Sequence, residues 1–147
     1  MIDIENYVFT ALNNAIKERY PDAVVVGDYI EELATYPTVT ITEIRNATVR
    51  RMQDDAPTEH YATITYEINA YSNERIGKKE IAKDIIDICD GVMLGLKFVK
   101  GLTRRLPAID HLRTVYRMYA RYTAVVGEGI VEERDGEEVI VHRMYRS

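Results

Sequence analysis

The chain has 147 residues, of which 46 % are hydrophobic and 29 % charged, enough for one domain with its own core and too apolar for general disorder. Its formal charge of −5 argues against a dedicated duplex-binding role, which calls for a basic face. A single cysteine, Cys89, excludes an intrachain disulfide, and no apolar run approaches the roughly 20 residues of a membrane-spanning helix.

The first residues, MIDIENYVFT, carry acids where a signal peptide needs bases, so the expectation is a soluble protein made inside the cell. From Asp3 to Tyr20, Ile4, Val8, Leu12, Ala15, Ile16 and Arg19 recur at helical spacing. Asp3 is placed to cap that helix, Ile2 and Tyr7 to staple its start, and Pro21 to end it, since the residue before a proline is pushed out of the α region. The β-branched run Ala23–Ile30 reads as a short strand, and Tyr36-Pro37 breaks the chain before Thr38–Arg45, where Val39 and Ile41 alternate with threonines as in a strand with one buried face. Residues 46–59 are polar and read as a projecting arm or loop, a length that is uncommon unless it has a task.

Tyr61–Tyr71 is the clearest strand: Ala62, Ile64, Tyr66, Ile68 and Ala70 fall on one face and Thr63, Thr65, Glu67 and Asn69 on the other. Ser72 or Asn73 is expected to cap a second helix with the stripe Ile81, Ile85, Ile88, Cys89 and Val92, closed by Gly95. Lys97–Leu106 reads as a strand bent near Gly101, and Arg113–Gly127 as another, on its enrichment in Val, Tyr and Thr. The last segment is a hairpin turning at Asp135-Gly136, an extension spanning 128–147. The expected fold is one α+β domain: a mostly antiparallel sheet with two helices on one face, plus the arm and the C-terminal hairpin.

No set of residues converges on chemistry. Cys89 lies on an apolar helical stripe, where a thiol is structural, and His60, His111 and His142 lack the spacing of metal ligands. The acidic pairs Glu31-Glu32 and Asp54-Asp55 and the acids of Glu132–Glu138 sit in polar, loop-like or hairpin context and read as solvated charge. Val126–Ile130 has two glycines without the rest of a dinucleotide loop, and Asn46-Ala-Thr is a sequon without a secretory context. No catalytic residue, cofactor or metal site is expected. The stripe Arg113, Arg117 and Arg121, interleaved with Tyr119, admits three readings: a solvated sheet face, an intersubunit contact, or a stacking platform for single-stranded nucleic acid.

A helix followed by Tyr36-Pro-Thr-Val-Thr-Ile-Thr-Glu-Ile, an alternating strand ending in Tyr71-Ser-Asn, an amphipathic helix, the segment Gly95–Phe98 and a Tyr/Arg-rich strand together resemble the tail terminator, or tail completion, proteins of long-tailed bacteriophages and phage-like particles. The resemblance covers Asp3 to Val126 and lies in the order and texture of the segments. It implies a non-enzymatic virion protein at the tail–neck junction, assembled in the host cytoplasm. Such a protein forms a homo-oligomeric, hexameric ring that caps the tail tube, stops addition of tube protein and offers a docking face to the head-completion or neck protein. DNA passes through such a ring without specific binding. A head-completion or neck connector is the alternative role. The arm residues Arg50, Arg51, Met52, Asp54 and Asp55, the stripe Arg113, Arg117, Tyr119 and Arg121, and the hairpin residues Ile130, Val139 and Val141 are the candidate subunit and tube contacts, because hairpins and sheet edges extend a neighbour's sheet.

Overall fold

Helix α1 (Glu5–Arg19) forms where Ile4, Val8, Leu12 and Ile16 line one side, and all four are buried. The computed structural model describes residues 3–27, 37–48, 61–73, 78–106, 115–127, 131–134, 137–140 and 143–145. Asp3 Oδ1 accepts the amide proton of Glu5 at 3.1 Å, as a cap should, although the cap position itself falls on Ile4. Tyr7, the inner residue of the expected staple, is 58 % exposed, and its partner Ile2 lies outside the described residues. Tyr20 leaves the helix with φ −124° and ψ 80°, the extended conformation that Pro21 imposes on it.

Strand β1 (Val24–Val26) is short and runs parallel to β2 (Thr38–Thr48). Ala23 and Gly27, the described neighbours in the expected strand, are not part of β1, and residues 28–30 lie outside the described residues. β2 continues through Asn46, Ala47 and Thr48, which pair with Ile64, Thr63 and Ala62. These three residues are therefore ladder and not the root of an arm: each finds a backbone partner on β3 (Tyr61–Asn73), and paired amides outweigh the polarity of their side chains. The remaining arm residues, 49–59, including Arg50, Arg51, Met52, Asp54 and Asp55, lie outside the described residues.

β3 pairs along its whole length with β5 (Val115–Gly127), which in turn carries β4 (Val99–Leu106). The sheet order is β1-β2-β3-β5-β4, antiparallel except for the β1–β2 pair. Gly101 is the bulged residue of β4, between Lys100 and Leu102, which accounts for the bend. Ser72 and Asn73 belong to β3, opposite Tyr116 and Val115, and the residues that follow, 74–77, lie outside the described residues. Helix α2 is described from Lys78 to Gly95.

α2 ends at Gly95 as expected, but the left-handed residue of its closing turn lies two positions on, at Lys97. Phe98 N–H bonds to Met93 O at 2.9 Å and Lys97 N–H to Leu94 O at 3.0 Å, with Lys97 at φ 68°. This is a Schellman turn whose left-handed position is held by a lysine. Phe98 and Met93, the residues that such a turn brings into contact, are both fully buried.

The hairpin forms as expected, with β6 (Val131–Arg134) antiparallel to β7 (Glu137–Ile140) and Arg134 opposite Glu137, leaving two residues for the turn. It is a sheet of its own. A feature without a signal in the residues is β8 (Arg143–Tyr145), which returns to pair with Val125, Val126 and Gly127. Since β3 occupies one side of β5 throughout, β4 and β8 share the other side in succession.

The core lies between the helices and one face of the sheet. Ile64, Tyr66, Ile68, Ala120, Tyr122 and Ala124 are opposite one another in register and meet Ala82, Ile85, Ile86, Cys89 and Met93 of α2. Full burial of each large aliphatic side chain contributes about 1.5–3 kcal/mol. Two polar clamps fasten α2 at this face. Asp84 accepts the Tyr20 hydroxyl at 2.5 Å and pairs with Arg19 at 2.9 Å, while Asp90 accepts the Tyr122 hydroxyl and pairs with Lys100 at 2.9 Å. The fold is α+β, with a mostly antiparallel sheet and two helices.

Candidate functional site

The face of the sheet turned away from the core cluster carries the arginine–tyrosine stripe. In register, Arg117 faces Tyr71, Tyr119 faces Asn69, Arg121 faces Glu67 and Thr123 faces Thr65. β2 continues the surface with Thr38, Thr40 and Thr42 opposite Tyr71, Asn69 and Glu67. These residues alternate with core positions, so the pleat alone delivers them to one face.

Much of this face is out of water. Thr40 and Asn69 are fully buried, and Thr38, Thr65, Tyr71 and Tyr119 nearly so. The clean buried/exposed alternation expected for Tyr61–Tyr71 therefore fails beyond Ile64. One reason is visible: Arg117 lies back along the face, its Nε donating to Asn69 Oδ1 at 2.8 Å and its guanidinium 5.6 Å from the Tyr71 ring centre. The phenol of Tyr71 is pushed above its ordinary range by burial, with Arg117 pulling the other way and Glu67 adding to the rise. Thr40 Oγ1, Thr42 Oγ1, Asn69 Nδ2 and Asn73 Oδ1 are buried without a hydrogen-bond partner, a cost of about 1–3 kcal/mol each if left dry.

Arg121 is exposed, and its Nε donates to the Tyr119 hydroxyl at 2.9 Å. The guanidinium sits 5.8 Å from that ring's centre, at the hydroxyl end and not over the π face, so the contact is a hydrogen bond and not a stacked pair. Arg117 is committed to its own chain and Arg121 faces outward; Arg113 lies outside the described residues. The two described arginines of the stripe are thus not equivalent: Arg117 is tied to Asn69 and Arg121 to the Tyr119 hydroxyl.

Ile130 and Val141 lie outside the described residues. The backbone of Val139 pairs with Glu132 in the hairpin. His60, His111, His142, Glu31, Glu32, Asp54 and Asp55 also lie outside the described residues. Cys89 is buried, and desolvation, with Asp90 adding to it, pushes its thiol well above the ordinary range, so it is held as a neutral thiol. Among the described residues no group of three or more His, Cys, Asp or Glu could hold a metal ion, and no helix is long and apolar enough to cross a membrane.

A second location was not anticipated. A cavity of about 300 Å³ opens where the first turns of α1 pass over β2 and β3, lined by Glu5, Asn6, Phe9, Gly27, Ile41, Glu43 and Tyr66. Val39, Ile41 and Glu43 form the inward-facing row of β2, so Glu43 occupies what would be a core position. A bulge at Ile44 ends that row and turns Asn46 to the same side. Glu43 accepts from the Tyr66 hydroxyl at a long 3.4 Å and from Asn46. Burial raises its carboxyl above the ordinary range, and the charges of Glu5 and Asp3 raise it further against the two hydrogen bonds. The signal in the sequence is the glutamate that follows Val39 and Ile41 at strand spacing.

No family model matches this chain, and no curated protein matches it.

Proposed function

We propose that the chain is a ring-forming structural subunit, a tail terminator that closes the end of a phage-type tail tube and acts without catalysis. The observation that carries this reading is the hairpin β6–β7, whose strands, among the described residues, pair with each other and with no strand of the main sheet. A lone two-stranded ribbon is marginal in water and gains stability by packing on, or extending, another sheet. The same chain offers places for that: β1 and β4 end the described sheet, each with one edge unpaired by another described strand. A separately paired ribbon and a receptive edge on one subunit would suit a head-to-tail contact, the kind that closes into rings when the rotation allows. The order of elements, which resembles that of tail terminators, supplies the identity of the ring, and the net charge of −5 suits a passage through which phosphate slides without being gripped.

The test is the mass of the full chain by sedimentation at several concentrations, alone and with tail tube protein. A closed ring, alone or formed on tube ends, is the expected result. A monomer at every concentration that leaves tube growth unchanged would remove the reading.

A further inference from the structure

A cleft of about 300 Å³, open to solvent, lies beside the first turns of α1. Its volume lies at the lower end of the range that holds small ligands. Its walls combine two carboxylates, Glu5 and Glu43, one amide, Asn6, and the apolar or aromatic surfaces of Phe9, Ile41 and Tyr66. Gly27 adds no side chain at the wall, and a Cβ built there would meet nothing within 4 Å.

Among the described residues, the charge that acts on Glu43 is unbalanced. The ionised groups that act on Glu43 are Glu5 and Asp3, both negative; its neutral partners are Tyr66 and Asn46. A carboxylate has about four acceptor sites, and the long bond from Tyr66 together with Asn46 leaves Glu43 with capacity unused. Two carboxylates at the polar end and rings along the sides define a planar cation on an apolar stem. A guanidinium meets these demands better than an ammonium, because it bonds carboxylate oxygens in a fork and its flat face tolerates an aromatic wall.

We propose that this cavity is a receptor for an arginine side chain presented by a partner protein, with Glu43 and Glu5 bonding the guanidinium and Phe9 and Ile41 enclosing the stem. The site belongs to the single subunit and does not depend on ring assembly.

The experiment is a titration of the isotope-labelled full chain with Nα-acetyl-arginine amide, reading the amide signals of Gly27, Ile41 and Glu43. Nα-Acetyl-citrulline amide, uncharged and nearly the same shape, is the control. Saturable shifts at the three residues with the arginine compound and none with citrulline are expected, as is a loss of about tenfold in affinity in E43Q, the change that removing one charged partner brings when it is worth about 1.4 kcal/mol. E43Q keeps the acceptor for Tyr66; if it loses the fold, E5Q at an exposed position serves instead. Equal shifts with citrulline, no saturable shift with arginine, undiminished binding in the folded variant, or tighter binding of Nα-acetyl-lysine amide would each overturn the assignment. A chain that forms rings but fails this titration loses the receptor and keeps the ring.

Discussion

Tyr122, in the middle of the sheet, donates its hydroxyl to Asp90 on α2, and the same carboxylate holds Lys100 on β4 at 2.9 Å. One aspartate thereby ties the helix to two strands at the core's polar margin. Hydrogen bonds to charged groups contribute about 1.5–3 kcal/mol, so Tyr122→Phe is expected to lower unfolding free energy by about that amount. Asp90→Asn should cost a comparable amount, and the double variant less than the sum, because both changes cut one bond. Urea unfolding of the four proteins measures the coupling.

Alkaline pH acts through the same tyrosine. Burial, then the Asp90 bond, holds the Tyr122 phenol far above its ordinary 10.0, and burial with nearby carboxylates does so for Tyr66. Above about pH 10 the unfolded chain gives up these protons while the folded chain keeps them, so the unfolded state binds fewer protons and stability falls as pH rises. Each such group contributes a slope of about 1.4 kcal/mol per pH unit in that range. Tyr122→Phe should flatten the alkaline limb by one group's slope, read from melting temperature against pH.

Glu43 responds at the other end of the scale. Its folded carboxyl is raised, so the folded chain holds that proton more firmly than the unfolded one, and the stabilisation present at low pH is lost as pH rises through the folded value. Glu43→Gln removes a poorly solvated charge beside Glu5 and Asp3. It is expected to raise the melting temperature near neutral pH, with the gain shrinking as the solution is acidified below the carboxyl's folded pKa. A gain of equal size at all pH values would contradict the assigned burial of charge.

Lys97 occupies the left-handed position that closes α2. A side chain there is strained by its own Cβ, and the strain is about 1 kcal/mol for an L-residue. Lys97→Gly should therefore stabilise the protein by about 0.5–1 kcal/mol in denaturant unfolding, a gain reduced by the greater freedom of glycine in the unfolded chain.

Where the residues repeat at a period set by the backbone, they could be read directly. Alternation marked β3 from Tyr61 onward, helical spacing marked Ile4, Val8, Leu12 and Ile16, and the glycine at 101 marked a bulge. The misplacements share a cause, which is that distant partners decided local structure. Ser72 and Asn73 have the character of caps but are claimed by the ladder with Tyr116 and Val115. Asn46–Thr48 look like loop and are claimed by Ala62–Ile64. β8 is three residues, too short for any period to show, and exists because β4 stops short of Val125. The arginine stripe was visible as a spacing, but that Arg117 folds back onto Asn69 follows only from the strand opposite. The cavity was legible only as one glutamate in an inward row, and its mouth depends on where α1 crosses the sheet.

The central ladder joins β3 to β5, whose facing residues Asn69 and Tyr119 are separated by α2 and β4 in the chain. During synthesis β3 therefore leaves the ribosome with its backbone edge toward β5 unpaired until the chain past residue 115 has emerged. Non-local pairing of this kind slows the search for the native state and lengthens the interval in which a bare strand can meet the wrong neighbour. Threonine, asparagine and arginine on the far side of those strands serve that interval, because greasy side chains there would turn a slow birth into a precipitate.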